Sequence, residues 1–484
     1  MIFQILTLRL IKCLDIKVIG ENEKPGHQCG ILAIFSEQTA NIPEKLFYGL
    51  FTLQHRGQES AGIAYRKGDT IVTYKDLGMV STVLVRYLYQ ERPSNLGIGH
   101  VRYSTHGGNR LENAQPISVS CNKGEIALAH NGNISNTSLL KEELFSEGAI
   151  FQSTSDSELI LHLISRSHQN NFRDALIETL LRIQGAFAMV MIHNNDLLAM
   201  RDPYGFRPLY LGKKDGLTVF ASETCALDIL QIPEYRTVNP GELITVNERG
   251  LGTEIFAENK KTSQCVFELI YFSKPDSQVF NQTVHIMRKK MGAALANSED
   301  CSGDIVVPLP DSGNSAALGY AEASGIPFEL GLTRNHYSGR SFILPSKAER
   351  ELAVRIKLLP VKETIRGKRI ILIDDSLVRG TTSRIIVKLL REAGAKEIHL
   401  RLSSPEIKYP CFFGIDIPTK EELISNRMTP AEIAEYIGAD SVRFLSIEKL
   451  KSSLPDFENY CFACFNGDYP FKPLDQDYRS RINQ

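Results

Sequence analysis

From Cys29 to about Glu254 the apolar residues fall in short runs punctuated by Gly, Asn, Asp and Pro. "CGILAIF", "AGIAYRKGDTIVTYKD", "GIGHVRYST", "EIALAHNGNI", "AFAMVMIHNNDLLAMRD", "GLTVFASE" and "GELITVNERG" each read as a strand or a hairpin pair. Apolar residues at helical spacing interrupt them around 43–54 and 156–167. The second of these helices opens on Ser155-x-x-Glu158, the residue pattern of a capping box. Strands and helices in clusters, without regular alternation, predict a layered α+β domain.

The polar stretch "AENKKTSQ" (257–264) reads as a linker, and beyond it the rhythm changes. "GDIVVPLPDSGNSAALGYAEASG", "KRIILIDDSLVRGTTSRIIVKLLREAGAKEIHLRLSS" and "GADSVRFLSIEKL" each set a strand close to a helix. That order predicts a parallel sheet with crossover helices. Neither an internal repeat nor a low-complexity tract is evident.

A length of 484 residues exceeds one hydrophobic core and supports two domains. Basic residues (55) and acidic residues (56) nearly cancel, so the net charge of -1 gives no reason to expect nucleic acid or a membrane as partner. No run reaches the roughly 20 apolar residues of a membrane span. The opening "MIFQILTLRLIKCLDIKVIG" is interrupted by Arg9 and Lys12 and lacks a small-residue cleavage site, so it is not read as a secretory signal, and a cytoplasmic protein is expected. Nine cysteines scattered through such a chain suggest reduced thiols, metal ligands or a nucleophile rather than a disulfide scaffold.

"RIILIDDSLVRGTTSRIIVKLLREAG" (369–394) is an apolar strand ending in two carboxylates, a short loop, and a helix stopped by Gly394. In open α/β sheets, ligands bind beyond the carboxyl ends of the strands. The loop's Gly380, Thr381, Thr382 and Ser383 supply N–H groups, hydroxyls and a helix N-terminus, a ready anion site. Adjacent acids after such a strand have no packing purpose; a solvated turn is the weaker reading. The stretch resembles the 5-phosphoribosyl-1-pyrophosphate (PRPP) fingerprint of type I phosphoribosyltransferases. That resemblance implies that Asp374 and Asp375 hold the ribose hydroxyls and Mg²⁺, and that Arg379, Gly380, Thr381, Thr382 and Ser383 hold the 5-phosphate. It further implies that "PLPDSGNSAALG" binds pyrophosphate with Ser312 reaching the metal. The basic stretch 333–357, with Arg334, Arg340, Lys347, Arg350, Arg355 and Lys357, reads as a lid, and Lys357 is its best candidate for a pyrophosphate contact.

Cys29 and Gly30 head an apolar strand but lie behind 28 residues. A cysteine needs a base to react at neutral pH, and its own α-amine can serve once the residues before it are removed. Cys-Gly alone is a weak signal, and "HNGN" alone is equally a tight turn. Taken in order, "LQHRGQESAGIAY", "GIGHVRYSTHG", "LAHNGNISN", "STSDSELI" and "RDPYGFRPLYLG" resemble the glutamine amidotransferase domain of the N-terminal-nucleophile class, an αββα sandwich. The resemblance implies Cys29 as nucleophile, Asn131 and Gly132 as oxyanion hole, and Arg102 and Asp156 as the grip on glutamine.

Both halves together resemble the amidophosphoribosyltransferases. That family implies residues 1–28 as a propeptide, 29–258 as the glutaminase domain and 265–484 as an α/β type I phosphoribosyltransferase domain. It also implies one Mg²⁺ per subunit with PRPP, purine-nucleotide feedback inhibitors and a homotetramer. "CFAC" (Cys461, Cys464) alone leaves zinc, redox chemistry or no chemistry open. With Cys411 and Cys265 it matches the family members that carry a [4Fe–4S] cluster, so a structural cluster is favoured over zinc. Cys13, Cys121, Cys225 and Cys301 are taken as inert. His27 and Gln28 stand where the family often has an acid. Another amidotransferase of the same class and a non-catalytic PRPP sensor are the rival readings. The first leaves the DDSLVRGTTS loop unexplained, and the second leaves Cys29, Arg102, Asn131 and Asp156 unexplained.

Overall fold

A computed structural model describes residues 29–89, 92–103, 110–258, 261–298, 302–335, 352, 354–417, 419–472 and 474. The expected propeptide, Cys13, Cys301 and most of the expected lid lie outside the described residues.

The first half is built on two antiparallel sheets. The strands are β1 (Gly30–Asn41), β2 (Ser60–Lys67), β3 (Thr70–Leu77), β4 (Pro93–Arg102), β5 (Ile117–Cys121), β6 (Gly124–Ile134), β7 (Gly185–His193), β8 (Asp196–Arg201), β9 (Tyr210–Lys214), β10 (Leu217–Ala221), β11 (Glu234–Thr237), β12 (Glu242–Asn247) and β13 (Gly250–Ile255). One sheet runs β11-β9-β10-β1-β4-β2-β3, the other β13-β12-β8-β7-β6-β5. Strand β1 shows why its sequence lacks polar alternation. Ile31, Ala33 and Phe35 pack between the sheets against Ala127, Ala129 and Val190. Leu32 and Ile34 point the other way, onto Leu46 and Leu50 of the helix Ile42–Thr52. Both faces are therefore dry, and each such aliphatic side chain gains about 1.5–3 kcal/mol on full burial. The helices Thr137–Ser146, Asp156–Arg166 and Phe172–Arg182 cover the outer face of the second sheet through Leu140, Leu159, Ile160 and Leu176. The layers are helix, sheet, sheet, helix.

One local expectation is corrected. At the helix Asp156–Arg166, Ser155 accepts from the N–H of Ser157, and Glu158 does not return to the Ser155 N–H. The Glu158 carboxylate reaches past the cap to the N–H groups of Gln152 and Ser153, each at 2.7 Å, so the box is replaced by a clamp on the incoming loop. "EIALAHNGNI" is the strand expected, and the tight turn that "HNGN" alone also allowed is not formed: the segment lies inside β6, with Asn131 opposite Ala188 and Gly132 opposite Phe187 on β7.

The second half opens with β14 (Gln264–Cys265), a π-helical turn Glu268–Phe272, and the small hairpin β15 (Gln278–Val279) and β16 (Gln282–Thr283). Strands β17 (Ile305–Pro308), β18 (Leu332–Arg334), β19 (Leu358–Pro360), β20 (Arg369–Asp374), β21 (Glu397–Leu402), β22 (Ser441–Phe444) and β23 (Tyr460–Cys461) follow. The sheet β17-β20-β21-β22 is parallel throughout. Its two faces bury alternate residues of each strand: Ile371 and Ile373 on one side, Ile370 and Leu372 on the other. Helices Val284–Ala296 and Asn314–Ser324 pack on the first face, Thr381–Glu392 and Pro430–Ile437 on the second. Strand β23 returns to pair in parallel with β14, Cys461 beside Cys265.

Candidate active sites

Cys29 stands at the head of β1, and the pairing of Gly30 with Val101 sets Arg102, the last residue of β4, beside it. The thiol donates to the Tyr103 carbonyl at 3.7 Å, and the Cys29 carbonyl accepts from Arg56 Nε at 3.1 Å. Burial pushes the thiol up, the Tyr103 carbonyl contact and the Arg102 charge pull it down, and Asp156 and Glu59 push it up again. Those same charges put Arg102, Asp156 and Glu59 around the sulfur, with Arg102 Nη1 4.0 Å from Glu59 Oε2. Asp156 opens its helix and accepts from the N–H of Ile134 at 3.0 Å, while its other oxygen lies 3.8 Å from His130 Nδ1. Burial pushes the His130 imidazole below its ordinary value, against the pull of Asp156. Asn131, next along β6, is buried, and its amide Nδ2 finds no hydrogen-bond partner among the described residues. A buried donor without an acceptor is costly and suits an oxygen that arrives with a ligand. Sequence reasoning passed over Glu59 and Arg56, although both lie inside the quoted "LQHRGQESAGIAY".

The second site lies where β17 and β20, neighbours in register from Ile305 opposite Ile370 to Pro308 opposite Ile373, both end. Asp374 and Asp375 are buried there, Asp374 accepting from the Asp375 N–H at 2.8 Å and Asp375 from the Ser376 hydroxyl at 2.5 Å. Gly380 turns the chain at φ 80°, a left-handed conformation in which a side chain would also meet Ile424 Cδ1 at 2.9 Å. The helix Thr381–Glu392 starts there, bringing its first-turn N–H groups and the hydroxyls of Thr381, Thr382 and Ser383 to this end of the sheet. Arg379 turns toward Glu422, donating at 2.6 Å. The loop holding Ser312 leaves the neighbouring strand at the same end, and Asp311 in it pairs with Arg334 at 2.6 Å. Lys357 stands at the base of the expected lid, where its carbonyl accepts from the Asn335 N–H at 2.8 Å. Arg288 was not anticipated: burial pulls it down to about 10, opposed first by the charge of Asp375.

A third cluster gathers Cys265, Cys411, Cys461 and Cys464 around one pocket with Phe206, Phe267, Phe413 and Tyr469. All four are free thiols, three of them buried. Burial raises Cys464 well above its ordinary value, and the other three sulfurs raise it further. Cys411 accepts from the Phe413 N–H at 3.3 Å. Among the described residues no group of three or more His, Cys, Asp or Glu side chains is spaced to hold a metal ion. Cys225 is buried, and that burial pushes its thiol up.

A family model described as a glutamine amidotransferase domain matches residues 100–228. Amidophosphoribosyltransferase 1, chloroplastic, of Arabidopsis thaliana is 45% identical over 458 residues, 94% of this chain and 81% of that protein. The chain belongs to the amidophosphoribosyltransferase family. The amidophosphoribosyltransferase of Bacillus subtilis (strain 168) is 44% identical and covered to 96% by 94% of this chain. The solved glutamine PRPP amidotransferase of B. subtilis, complexed with ADP and GMP, superposes with a TM-score of 0.86 at 44% identity, over 93% of this chain and 98% of that one. As in that enzyme, an N-terminal-nucleophile layer structure is followed by a phosphoribosyltransferase sheet. No helix among the described residues is long and apolar enough to cross a membrane.

Proposed function

We propose that this amidophosphoribosyltransferase transfers ammonia from glutamine to PRPP, giving 5-phosphoribosylamine, pyrophosphate and glutamate, the step that opens purine biosynthesis. The observation that carries the reading is the presence, in one chain, of Cys29 beside Arg102 and Asp156 and of the Asp374–Ser383 loop at the end of a parallel sheet.

In the first half, Arg102 binds the carboxylate of glutamine and Asp156 its amine. The Cys29 sulfur attacks the side-chain amide carbon after its proton passes to the α-amine, freed when residues 1–28 are removed. Asn131 Nδ2 and the Gly132 N–H take the negative charge on the oxygen. The C–N bond breaks, the amine returns its proton to the leaving nitrogen, and ammonia departs. Water then hydrolyses the thioester to glutamate. In the second half, Gly380 to Ser383 hold the 5-phosphate, with Arg379 at their rim, while Asp374 and Asp375 orient the ribose. Ser312 and Lys357 face the pyrophosphate. The ammonia lone pair attacks ribose C1 as the bond to pyrophosphate breaks, and the new amine loses a proton.

Mg²⁺, held through Ser312, Asp374 and Asp375, would neutralise the departing pyrophosphate. Cys265, Cys411, Cys461 and Cys464 would hold a [4Fe–4S] cluster: they line one pocket, although they are not spaced as a metal group here, and the N–H bond to Cys411 suits a ligating sulfur. Its part is structural, at the seam of β14 and β23. The division at 29–258 and 265–484, a cytoplasmic setting, a homotetramer and inhibition by purine nucleotides belong to the same reading.

Purified protein given glutamine, PRPP and Mg²⁺ is expected to release glutamate and pyrophosphate in equal amounts. Glutamate without pyrophosphate would point to another amidotransferase; neither product would point to a PRPP sensor.

A further inference from the structure

Glu268 belongs to the second half yet lies fully buried between two arginines of the first. Arg56 Nη2 donates to its two oxygens at 2.8 and 3.1 Å, and the same guanidinium holds the Cys29 carbonyl through Nε. On the other side, Arg207 Nη1 is 3.5 Å from Glu268 Oε1, and Arg207 Nη2 donates to the Phe413 carbonyl. The residue after Phe413 is Gly414, packed so closely on the oxyanion strand that a Cβ there would sit 3.1 Å from the Gly132 carbonyl carbon. One carboxylate is thus tied by one arginine to the nucleophile's backbone and by another to the segment that backs Gly132. Arg56 and Arg207 face Glu223 and Glu268, and all four side chains are closed to solvent. Removing one carboxylate leaves a buried positive charge that water cannot neutralise. Glu268 also begins the π-helical turn Glu268–Phe272, whose far end is fixed by the Ser273 hydroxyl donating to Glu268 at 2.8 Å and by Arg288 donating to the Leu269 and Ser273 carbonyls. Such turns recur where a functional group must be aimed.

We infer that Glu268 is a positioning residue of the glutaminase reaction, aligning Cys29 with the Asn131–Gly132 oxyanion strand through Arg56 and Arg207. The inference rests on the proposed role of Cys29. A merely structural residue would affect both half-reactions alike. A positioning residue lowers the turnover with glutamine while leaving its KM, set by Arg102 and Asp156, and the use of free ammonia in place.

The test compares wild type, Glu268→Gln and Ser273→Ala in three assays: PRPP turnover with glutamine, PRPP turnover with ammonium chloride, and alkylation of Cys29 by a diazoketone analogue of glutamine. Glu268→Gln is expected to lose roughly ten- to hundred-fold in kcat with glutamine and in alkylation rate, with KM and ammonia-dependent turnover within about twofold. Ser273→Ala, a smaller lesion on the same carboxylate, is expected to move the same readouts in the same direction by less. Equal losses with both nitrogen sources, or unchanged glutamine turnover in both variants, would overturn the inference. A wild type that hydrolyses glutamine without consuming PRPP would overturn the proposed function instead, and glutamate release and alkylation would still decide the role of Glu268.

Discussion

Asn133 on β6 donates through Nδ2 to the carbonyl of Phe412 at 2.9 Å, although 279 residues separate them. The strand that carries Asn131 and Gly132 is therefore fastened by the half of the chain that carries the PRPP loop. Asn133→Ala would leave the Phe412 carbonyl buried without this donor, at a cost of about 1–3 kcal/mol. Thermal unfolding followed by circular dichroism should show a lower midpoint, and an unchanged midpoint would mean that this fastening is not a stabilising one.

Asn131 makes the sharpest separation between the two chemistries. Its Nδ2 has no partner to lose, so Asn131→Ala should leave the fold and the ammonia-dependent reaction intact. Turnover with glutamine should fall by about 10²–10³, the usual effect of deleting one oxyanion donor. Steady-state kinetics with the two nitrogen sources read this directly.

The converse variant is Asp375→Asn. Asp375 is fully buried at the end of β20 and faces Arg288. Its loss should abolish pyrophosphate release with either nitrogen source, while hydrolysis of glutamine continues. Persistent pyrophosphate release would remove Asp375 from the proposed ribose and metal contacts.

Glu158 makes a pH prediction. Burial pushes its carboxyl up, but the hydrogen bonds from His162, Gln152 and Ser153 outweigh it and hold the group at about 2, against an ordinary value of 4.5. The folded form thus gives up this proton more readily than the unfolded chain. The stabilisation is complete above about pH 4.5 and is lost as the pH falls from there toward 2. Denaturant unfolding between pH 5 and 2.5 should show wild type losing stability faster than Glu158→Gln, and parallel curves would contradict the clamp.

Iron gives the last prediction. Protein purified without oxygen should contain close to four irons per chain and absorb in the visible. Cys464→Ser, at a buried thiol of the pocket, should lose both. Zinc found in their place would redirect the assignment.

Much of the architecture was legible because burial on both faces leaves a plain mark. "CGILAIF" and "RIILID" lack polar alternation, and each lies between two apolar layers. The strand-loop-helix around Asp374 was equally readable, since strand, turn glycine and helix are adjacent in sequence. "HNGN" was ambiguous because its local propensities favour a turn, whereas β7, more than fifty residues away, decides the matter by pairing along its whole length. Ser155 and Glu158 have the spacing of a capping box, but the loop before them offered Glu158 better-placed donors. Glu268 and Arg288 left no signal of their own, and Arg207 sits unremarked inside the quoted "RDPYGFRPLYLG". Glu268 and Arg207 take their meaning from contacts between the two halves, and Arg288 from Leu269, Ser273 and Asp375 within the second; neither composition nor spacing encodes such contacts.

The pairing of β14 with β23 has a consequence in time. A ribosome releases Cys265 long before Cys461 and Cys464, so the strand Gln264–Cys265 waits with an open edge until almost the whole chain has emerged. The first half can complete its own sheets meanwhile, because every strand from β1 to β13 pairs within it. Closing the cysteine pocket is thus among the final acts of synthesis. A chain cut short before Tyr460 would carry a finished glutaminase layer structure beside a sulfur pocket that never shuts.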